Sequence, residues 1–461
     1  MTDLAVSSLA LAATHPDTAF PRFHPRPAQG WINDPNGVSY VNGRYHVFFQ
    51  YNPSSARHSM IQWGHVSSPD LVHWEEHPVA LVPQAGGPDS AGCWTGVVTL
   101  DGDVPTAAYS GVQDHGGHSQ VVIARGSSDL VSWNQDGHVA VSMPEDPMVT
   151  AVRDPFIFRF NGSRYAVQGA GLADGRAALL LYSVDSLDDW KYQGIWLTSS
   201  DPVADAFAPA EIWECPQLVE VPMSSDAGSA WVMMFSLWLS GDDHEHANGV
   251  GHLIGSLTPD PETGLPVFTA VTGGKSDLGR DFYAPQIVQL SYGSSEGAPA
   301  ALLFGWANEG PGRDGRRGRT QEEIDDAGWA GVLTHPRLLS VADGALVVAP
   351  APEVSAYRGA LLASGASGSV AVPGFAEVLV TGSGSVSLRL GSGTDEQIVY
   401  SGTVAAGEEL RIFIDASLVE VYRSGSVATT LRAYPLAGET WTLDLSGGVG
   451  ADVWELALPG Q

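Results

Sequence analysis

The sequence predicts an all-β protein, a five-bladed β-propeller followed by a C-terminal β-sandwich, and three observations carry that expectation. The first is an internal repeat: "DPNGVSYVNGRYHV" from Asp34 aligns with "DPFIFRFNGSRYAV" from Asp154, which sets Arg44-Tyr45 opposite Arg164-Tyr165. The second is a further echo, "CPQLVEV" from Cys215 against "APQIVQL" from Ala284, with "GCWTGVV" (Gly92 to Val98) midway between the two Asp-Pro sites. With Pro35, Thr95, Pro155, Pro216 and Pro285 as markers, the steps are 60, 60, 61 and 69 residues, so five similar units follow one another. The third is texture: short runs rich in β-branched and aromatic residues, broken by Gly, Pro, Asn and Asp, read as strands and turns throughout.

Each unit offers a second strand at a similar offset, "RYHVFFQY", "TAAYSG", "RYAVQGA", "WVMMFSLW" and "ALLFGWA". Three carry a Trp after a polar turn, in "DLVHW" (Trp74), "DLVSW" (Trp133) and "SLDDW" (Trp190). A unit of about 60 residues with several strands is one sheet of a radial array, which hides its edges by closing around an axis. The propeller is assigned to residues 20–340. Residues 341–358, which take in nearly all of "GALVVAPAPEVSAYRG" (Gly344 to Gly359), read as a Pro-containing linker. Residues 359–461, with alternating segments such as "VSLRLGSG" and "VEVYRSG", read as the sandwich, a structural cap in preference to a glycan-binding module.

Composition narrows the function. Of 461 residues, 52 are acidic and 22 basic, a formal charge of −30 that repels nucleic acid and anionic membrane and suits a neutral or cationic ligand. The N-terminal "MTDLAVSSLALAATHPDTAF" lacks Lys and Arg and fails as a secretory signal, and no apolar run is long enough to span a bilayer. A soluble, cytoplasmic protein is expected, with its oligomeric state unread. Cys93 and Cys215 form neither a disulfide framework nor a zinc pattern. The stretch "DDHEH" (Asp242 to His246) reads as a solvated loop and not a metal site, so neither metal nor cofactor is implied.

The first strand of every propeller blade lines the central channel, so matching repeat positions converge. Asp34 and Asp154 share one such position, and Glu214 is read as occupying the corresponding place before Pro216, which points three acids into one funnel. Two carboxylates in different surroundings are what glycosidic bond cleavage needs, one to attack the anomeric carbon and one to protonate the leaving oxygen. Asp34 has the amides of Asn33 and Asn36 beside it to keep it ionised. Glu214, in "EIWECPQ" among Trp213, Cys215 and Pro216, suits the protonated general acid, with Glu211 its rival.

"WINDPNG" (Trp31 to Gly37), "FQYNP", "WGH", "RDP", "WECP" and "DFYA", in that order, resemble glycoside hydrolase family 32, the invertase, inulinase and levanase group. The resemblance spans roughly residues 20 to 461 and includes "AGVLTHPRLL" (Ala330 to Leu339) and "IDASLVEVY" (Ile414 to Tyr422). It implies that Asp34 is the nucleophile, Glu214 the acid/base in preference to Glu211, and Asp154 the transition-state stabiliser with Arg153 beside it. Asn33, Gln50, Trp63, Trp94, Thr95 and Trp306 match positions that line the fructose pocket of relatives, with Asp281 a further candidate, and His65 of "WGH" is read as supporting that pocket. The implied activity is retaining β-fructofuranosidase action on sucrose or short fructo-oligosaccharides, with fructosyl transfer or non-hydrolytic sugar binding as alternatives. Two features depart from the family: Trp94-Thr95 where Phe-Ser or Trp-Ser is usual, and the Arg-rich "RDGRRGR" (Arg313 to Arg319). That loop is expected to pair with Glu322, Glu323, Asp325 and Asp326, or else to bind a phosphorylated disaccharide at the rim.

Overall fold

The computed structural model describes residues 8–114, 118–224, 228–241, 246, 248–290, 300–309, 312–393 and 395–459. Blade one is formed by β1 (Gly30–Val41), β2 (Arg44–Asn52), β3 (Gln62–Ser68) and β4 (Glu75–Leu81). Blade two follows as β5 (Gly92–Asp101), β6 (Val104–Val112), β7 (Gln120–Gly126) and β8 (Trp133–Val141), and blade three as β9 (Val149–Phe160), β10 (Ser163–Leu172), β11 (Ala177–Ser186) and β12 (Asp189–Thr198). Blade four comprises β13 (Ile212–Pro222), β14 (Ser229–Trp238), β15 (Val250–Pro259) and β16 (Pro266–Lys275). Blade five is built from β17 (Phe282–Gln289) and β18 (Ala301–Ala307), then, beyond the short β19 (Trp329–Ala330) and β20 (Val332–Leu333), from β21 (Arg337–Ala342) and β22 (Ala345–Pro350). The innermost strands pack in a closed ring, β1 against β5, β5 against β9, β9 against β13, β13 against β17 and β17 against β1.

Closure is made by one short segment. β19 pairs in parallel with the start of β1, while β20, one residue later, pairs with β18, so Gly331 sits at the seam between the first and last blades. The propeller ends ten residues later than the sequence suggests: Ala345–Pro350 alternates exposed and buried and pairs along β21 as the outer strand of blade five. The stretch read as a linker is therefore mostly blade, and Pro350 ends the strand.

The repeat has a backbone meaning. Every innermost strand carries a bulge at its marker residue, between Ile32 and Pro35, Cys93 and Gly96, opposite Val167–Gly169 on β9, between Glu214 and Gln217, and between Tyr283 and Gln286. A bulge sets two residues against one on the partner strand and breaks strict alternation, so two consecutive side chains can face the axis. Asp154, Cys215 and Ala284, equivalent in the repeat, all have φ near +50 to +60° (59, 49 and 48°), a conformation that costs energy outside glycine and marks the same turn of backbone in three blades.

The C-terminal domain comprises β23 (Arg358–Ala366), β24 (Gly368–Val372), β25 (Phe375–Ser392), β26 (Asp395–Val404), β27 (Glu409–Asp415), β28 (Leu418–Arg423), β29 (Thr429–Arg432) and β30 (Thr440–Leu456). The long β25 and β30 pair along nearly their whole length, with β27 beside the first half of β25 and β26 beside the second. Val378, Val380, Val386, Leu388, Ile412 and Leu443 share one core, so the two halves pack on each other as layers, while Phe413 and Tyr422 on the other face join the propeller core.

A buried polar contact also joins the two domains. His24 Nδ1 lies 2.6 Å from Asp415 Oδ2 and Nε2 3.4 Å from Glu420, with the ring stacked on His335. Burial opposes charge on the imidazole, yet the hydrogen bonds and charges of Asp415 and Glu420 outweigh it and raise His24 to about 9. A histidine raised on folding contributes stability that is complete below about 6.5 and lost as pH climbs through about 9. Thermal denaturation should therefore show a loss on the order of 3 kcal/mol between pH 6.5 and 9.5 that a His24→Gln variant lacks. Parallel stability curves for the two chains would discard this role.

Candidate active site

At the N-terminal ends of the inner strands opens a cavity of about 410 Å³ lined by Asn33, Asp34, Gln50, Trp94, Arg153, Asp154, Glu214 and Trp306, together with Trp31, His58, Trp238, His246 and Tyr283. A larger surface hollow of about 720 Å³ lies beside the helix Ser8–Ala12, but its one carboxylate, Asp325, is bonded to Arg57 and none of the repeat acids reaches it.

Asp34 is nearly enclosed. Asn33 Nδ2 donates to Oδ1 at 3.0 Å, and Oδ2 accepts from Gln50 Nε2 at 3.1 Å, from the Thr95 hydroxyl, and from the Cys215 thiol at 3.4 Å. Asn36 is not among these donors, because it lies one step beyond the bulge and its amide meets Gln50 N, Trp63 Nε1 and the Pro35 carbonyl. Burial raises the Asp34 carboxyl, the Thr95 hydroxyl pulls it back and the charge of Glu214 raises it again, with a net value of about 6. Asp154 is held well above the usual carboxylate range by burial and by the charges of Glu214 and Asp34, although its Oδ2 accepts the Cys215 amide at 3.0 Å. Burial beside three carboxylates keeps Cys215 a thiol.

The structure corrects the alignment of Glu214. Counting back from the marker proline, the equivalent of Asp34 and Asp154 is Cys215, and Glu214 falls one residue earlier, beside Asn33, Arg153 and Tyr283 of the other blades. It still reaches the axis because the bulge turns both positions inward. Its neighbours also differ from those expected: Arg153 Nη1 bonds Glu214 Oε1 at 2.6 Å, and the Tyr283 hydroxyl donates to Oε2 at 2.7 Å. Arg153 thus bonds Glu214 in this arrangement and acts on its chain neighbour Asp154 only through its charge. Glu211, the rival acid, bonds Ser240 outside the cavity.

Three expected pocket residues lie elsewhere. Thr95 is behind Asp34, 2% exposed, and acts on the carboxylate. Trp63 is fully buried between Phe48 and Tyr109 and supports the wall from behind, pairing along the strand with Gln50 and donating Nε1 to the Trp94 carbonyl. Asp281 faces the C-terminal domain, whose Arg432 N–H it accepts at 2.8 Å, and also takes Arg313 at 2.6 Å and Arg316 at 2.8 Å from the Arg-rich loop. His65 stacks on Phe48 and bonds His46 in the outer part of blade one. The Arg-rich loop is paired, but not with the four acids that follow it: Arg316 meets Asp314 within the loop at 3.4 Å, Arg317 holds Glu439, Arg319 lies 3.3 Å from Glu309, and Glu323 instead caps its own helix at Thr320. Of "DDHEH", residues 242–245 lie outside the described residues, and His246 borders the cavity near Tyr283 and Trp306. Among the described residues no cluster has the makings of a metal site.

Carboxylates from three blades, held around one recess with indole walls, form the site of a glycoside hydrolase on a propeller scaffold. Residues 24–350 match the family described as "Glycosyl hydrolases family 32 N-terminal domain". The raffinose invertase of Escherichia coli is 32% identical over 365 residues, covering 77% of this chain and 70% of that protein. The sucrose-6-phosphate hydrolase of Bacillus subtilis is 30% identical over 453 residues, 90% and 89% of the two chains. Among solved structures, the GH32 beta-fructofuranosidase of Bombyx mori superposes with a TM-score of 0.78 at 24% identity, over 98% of this chain and 97% of that one, and a mutant of it has been solved in complex with sucrose. The chain belongs to glycoside hydrolase family 32, the β-fructofuranosidase, invertase and inulinase family.

Proposed function

We propose that the protein is a retaining β-fructofuranosidase that removes terminal β-D-fructofuranosyl units from neutral substrates, sucrose and its short galactosyl or fructosyl extensions. The observation that carries this is the recess in which Asp34, Asp154 and Glu214 meet. Asp34 attacks the anomeric carbon, and Glu214 protonates the departing oxygen. The resulting fructosyl ester is cleaved by a water that Glu214, now a carboxylate, deprotonates; two inversions retain configuration. Asp154 holds sugar hydroxyls as charge develops on the ring. Cys215 stands between the two aspartates, its thiol donating to Asp34 Oδ2 at 3.4 Å and its backbone N–H to Asp154 Oδ2 at 3.0 Å.

The preference for a neutral leaving group rests on charge. The described lining sets three carboxylates against one guanidinium, Arg153, which is engaged with Glu214. The arginines of the loop, for which phosphate binding is the alternative to internal pairing, are bound to Asp281, Glu309 and Glu439. A phosphate dianion would enter a negative field. Comparing hydrolysis of sucrose, sucrose 6-phosphate, raffinose and inulin under identical conditions tests this, and a kcat/KM for sucrose 6-phosphate above that for sucrose refutes it. NMR detection of β-fructofuranose as the first-formed anomer tests retention.

The Asp34 environment gives a pH prediction. Attack requires the carboxylate, so kcat/KM should fall about tenfold per pH unit below about 6. Thr95→Val keeps the shape but removes the hydroxyl that favours the ionised form, which raises the Asp34 pKa and moves the acid limb to higher pH. An unmoved limb in the Thr95→Val profile would assign that limb to another group.

A further inference from the structure

We propose that Arg432, on β29 of the C-terminal domain, is a positioning residue for the sugar cavity, holding Trp306 and Tyr283 in place through Ala307, Glu309 and Asp281. The inference deepens the fructoside reading of the cavity and gives the second domain a part in building it.

The contacts converge from both sides of blade five. The Arg432 guanidinium donates to the Ala307 carbonyl at 3.1 Å, to Glu309 Oε1 at 2.9 Å and to Ser417 Oγ at 3.2 Å, and its backbone N–H donates to Asp281 Oδ2 at 2.8 Å. Ala307 follows Trp306, a cavity wall; Asp281 lies two residues before Tyr283, which bonds Glu214. Asn308 N–H donates to the Asp281 carbonyl at 2.9 Å and ties the two segments together. One residue of the second domain thus grips both segments that deliver cavity residues from this blade, the Ala307–Glu309 side through its guanidinium and the Asp281 side through its backbone N–H.

Glu309 carries the grip across the seam. Its carboxylate is 5% exposed and accepts from Arg432, from the Tyr434 hydroxyl and, at 2.9 Å, from the amide of Gly331, with Arg319 at 3.3 Å. Gly331 is the closure residue between β19 and β20, with φ +73°. Any Cβ there would strike the Ile32 carbonyl and come within 2.8 Å of Trp306 Nε1. Ile32 immediately precedes Asn33 and Asp34. Bonding Gly331 to Glu309 therefore fixes the backbone against which the Trp306 indole and the nucleophile-bearing strand both rest. Burial disfavours the carboxylate, but Arg319 and Arg432 overcome that and hold Glu309 ionised, down to about 2. A lysine does not replace the fork, because the Ala307 carbonyl is met by one guanidinium nitrogen and Glu309 and Ser417 by the other, whereas an ammonium offers its three donors from a single nitrogen.

The test compares Arg432→Lys and Tyr434→Phe with His24→Gln, which breaks an equally buried interdomain contact that reaches no cavity residue. D-fructose binding is measured by calorimetry and sucrose hydrolysis by steady-state kinetics, on the full chain, well below each variant's Tm. Arg432→Lys should raise the fructose Kd and sucrose KM about tenfold and Tyr434→Phe about threefold, with kcat changed less, while His24→Gln lowers Tm alone. The proposal is overturned if the first two also change only Tm, or if His24→Gln raises Kd and KM as much. Tyr434→Phe removes a single hydroxyl and decides the matter even if Arg432→Lys does not fold. Because the binding arm needs no turnover, a failure of the hydrolase reading shows in the wild-type chain and a failure of this one in the variants alone.

Discussion

A chain carrying Asp34→Asn should fold normally and cleave sucrose at least about 10⁴-fold more slowly than wild type, roughly 5 kcal/mol of added barrier. The substitution keeps the size of the side chain but leaves an amide oxygen too weak to form the fructosyl ester. It also faces the donors Asn33, Gln50 and Thr95 with a group that accepts less strongly. Removing the Asp34 charge relieves one of the repulsions that hold Asp154 high, so the Asp154 pKa should drop in the variant. Fructose binding should survive while no covalent intermediate accumulates under rapid quench. Rates within tenfold of wild type would transfer the attacking role to another group, with Asp154 the nearest in the recess.

Much of this was legible because the repeat is a sequence property. Five markers about 60 residues apart fall on five innermost strands, and the Trp that recurs in "DLVSW" and "SLDDW" is a structural latch, Trp133 and Trp190 donating to the carbonyls of Leu130 and Leu187. What the repeat cannot reveal is parity. Aligned prolines say nothing about a bulge, yet the bulge decides which of two neighbouring side chains turns to the axis. Hence Glu214 is offset by one from the place assigned to it, and in "DFYA" the cavity residue is Tyr283, at the offset shared with Asn33, Arg153 and Glu214, while Asp281 faces the second domain. Trp63 fails for a related reason: its strand turns it into the gap between blades one and two. His58 and His246 arrive from segments whose path over the rim is set only by tertiary packing, and Trp238 is the last residue of β14, opposite Ile212. The acids that follow the Arg-rich loop in sequence are largely solvated and gain little from pairing. Buried Asp281 and Glu309, from blade five, and Glu439, from the second domain, gain more.

Glu214→Gln should lower kcat for sucrose by about 10²- to 10⁴-fold, 3 to 5 kcal/mol, and the loss should shrink for an aryl β-D-fructofuranoside whose leaving group departs without a proton. The two oxygens of Glu214 are held unequally: Oε1 faces the Arg153 guanidinium at 2.6 Å and Oε2 accepts from Tyr283 at 2.7 Å. A glutamine can retain one of these bonds through its carbonyl oxygen, so the side chain stays in place and the lost proton is isolated from lost geometry. Deglycosylation then becomes limiting for the aryl substrate, because the same residue must activate the water. An added small anion such as azide, which needs no base, should restore turnover by forming a fructosyl adduct. Tyr283→Phe offers the complementary measurement, since it leaves the proton and removes only its anchor; a smaller loss, similar for both leaving groups, is expected. If Glu214→Gln slows sucrose and the aryl fructoside equally, and azide rescues neither, then Glu214 binds sugar and does not transfer a proton, and the acid must be sought at Asp154.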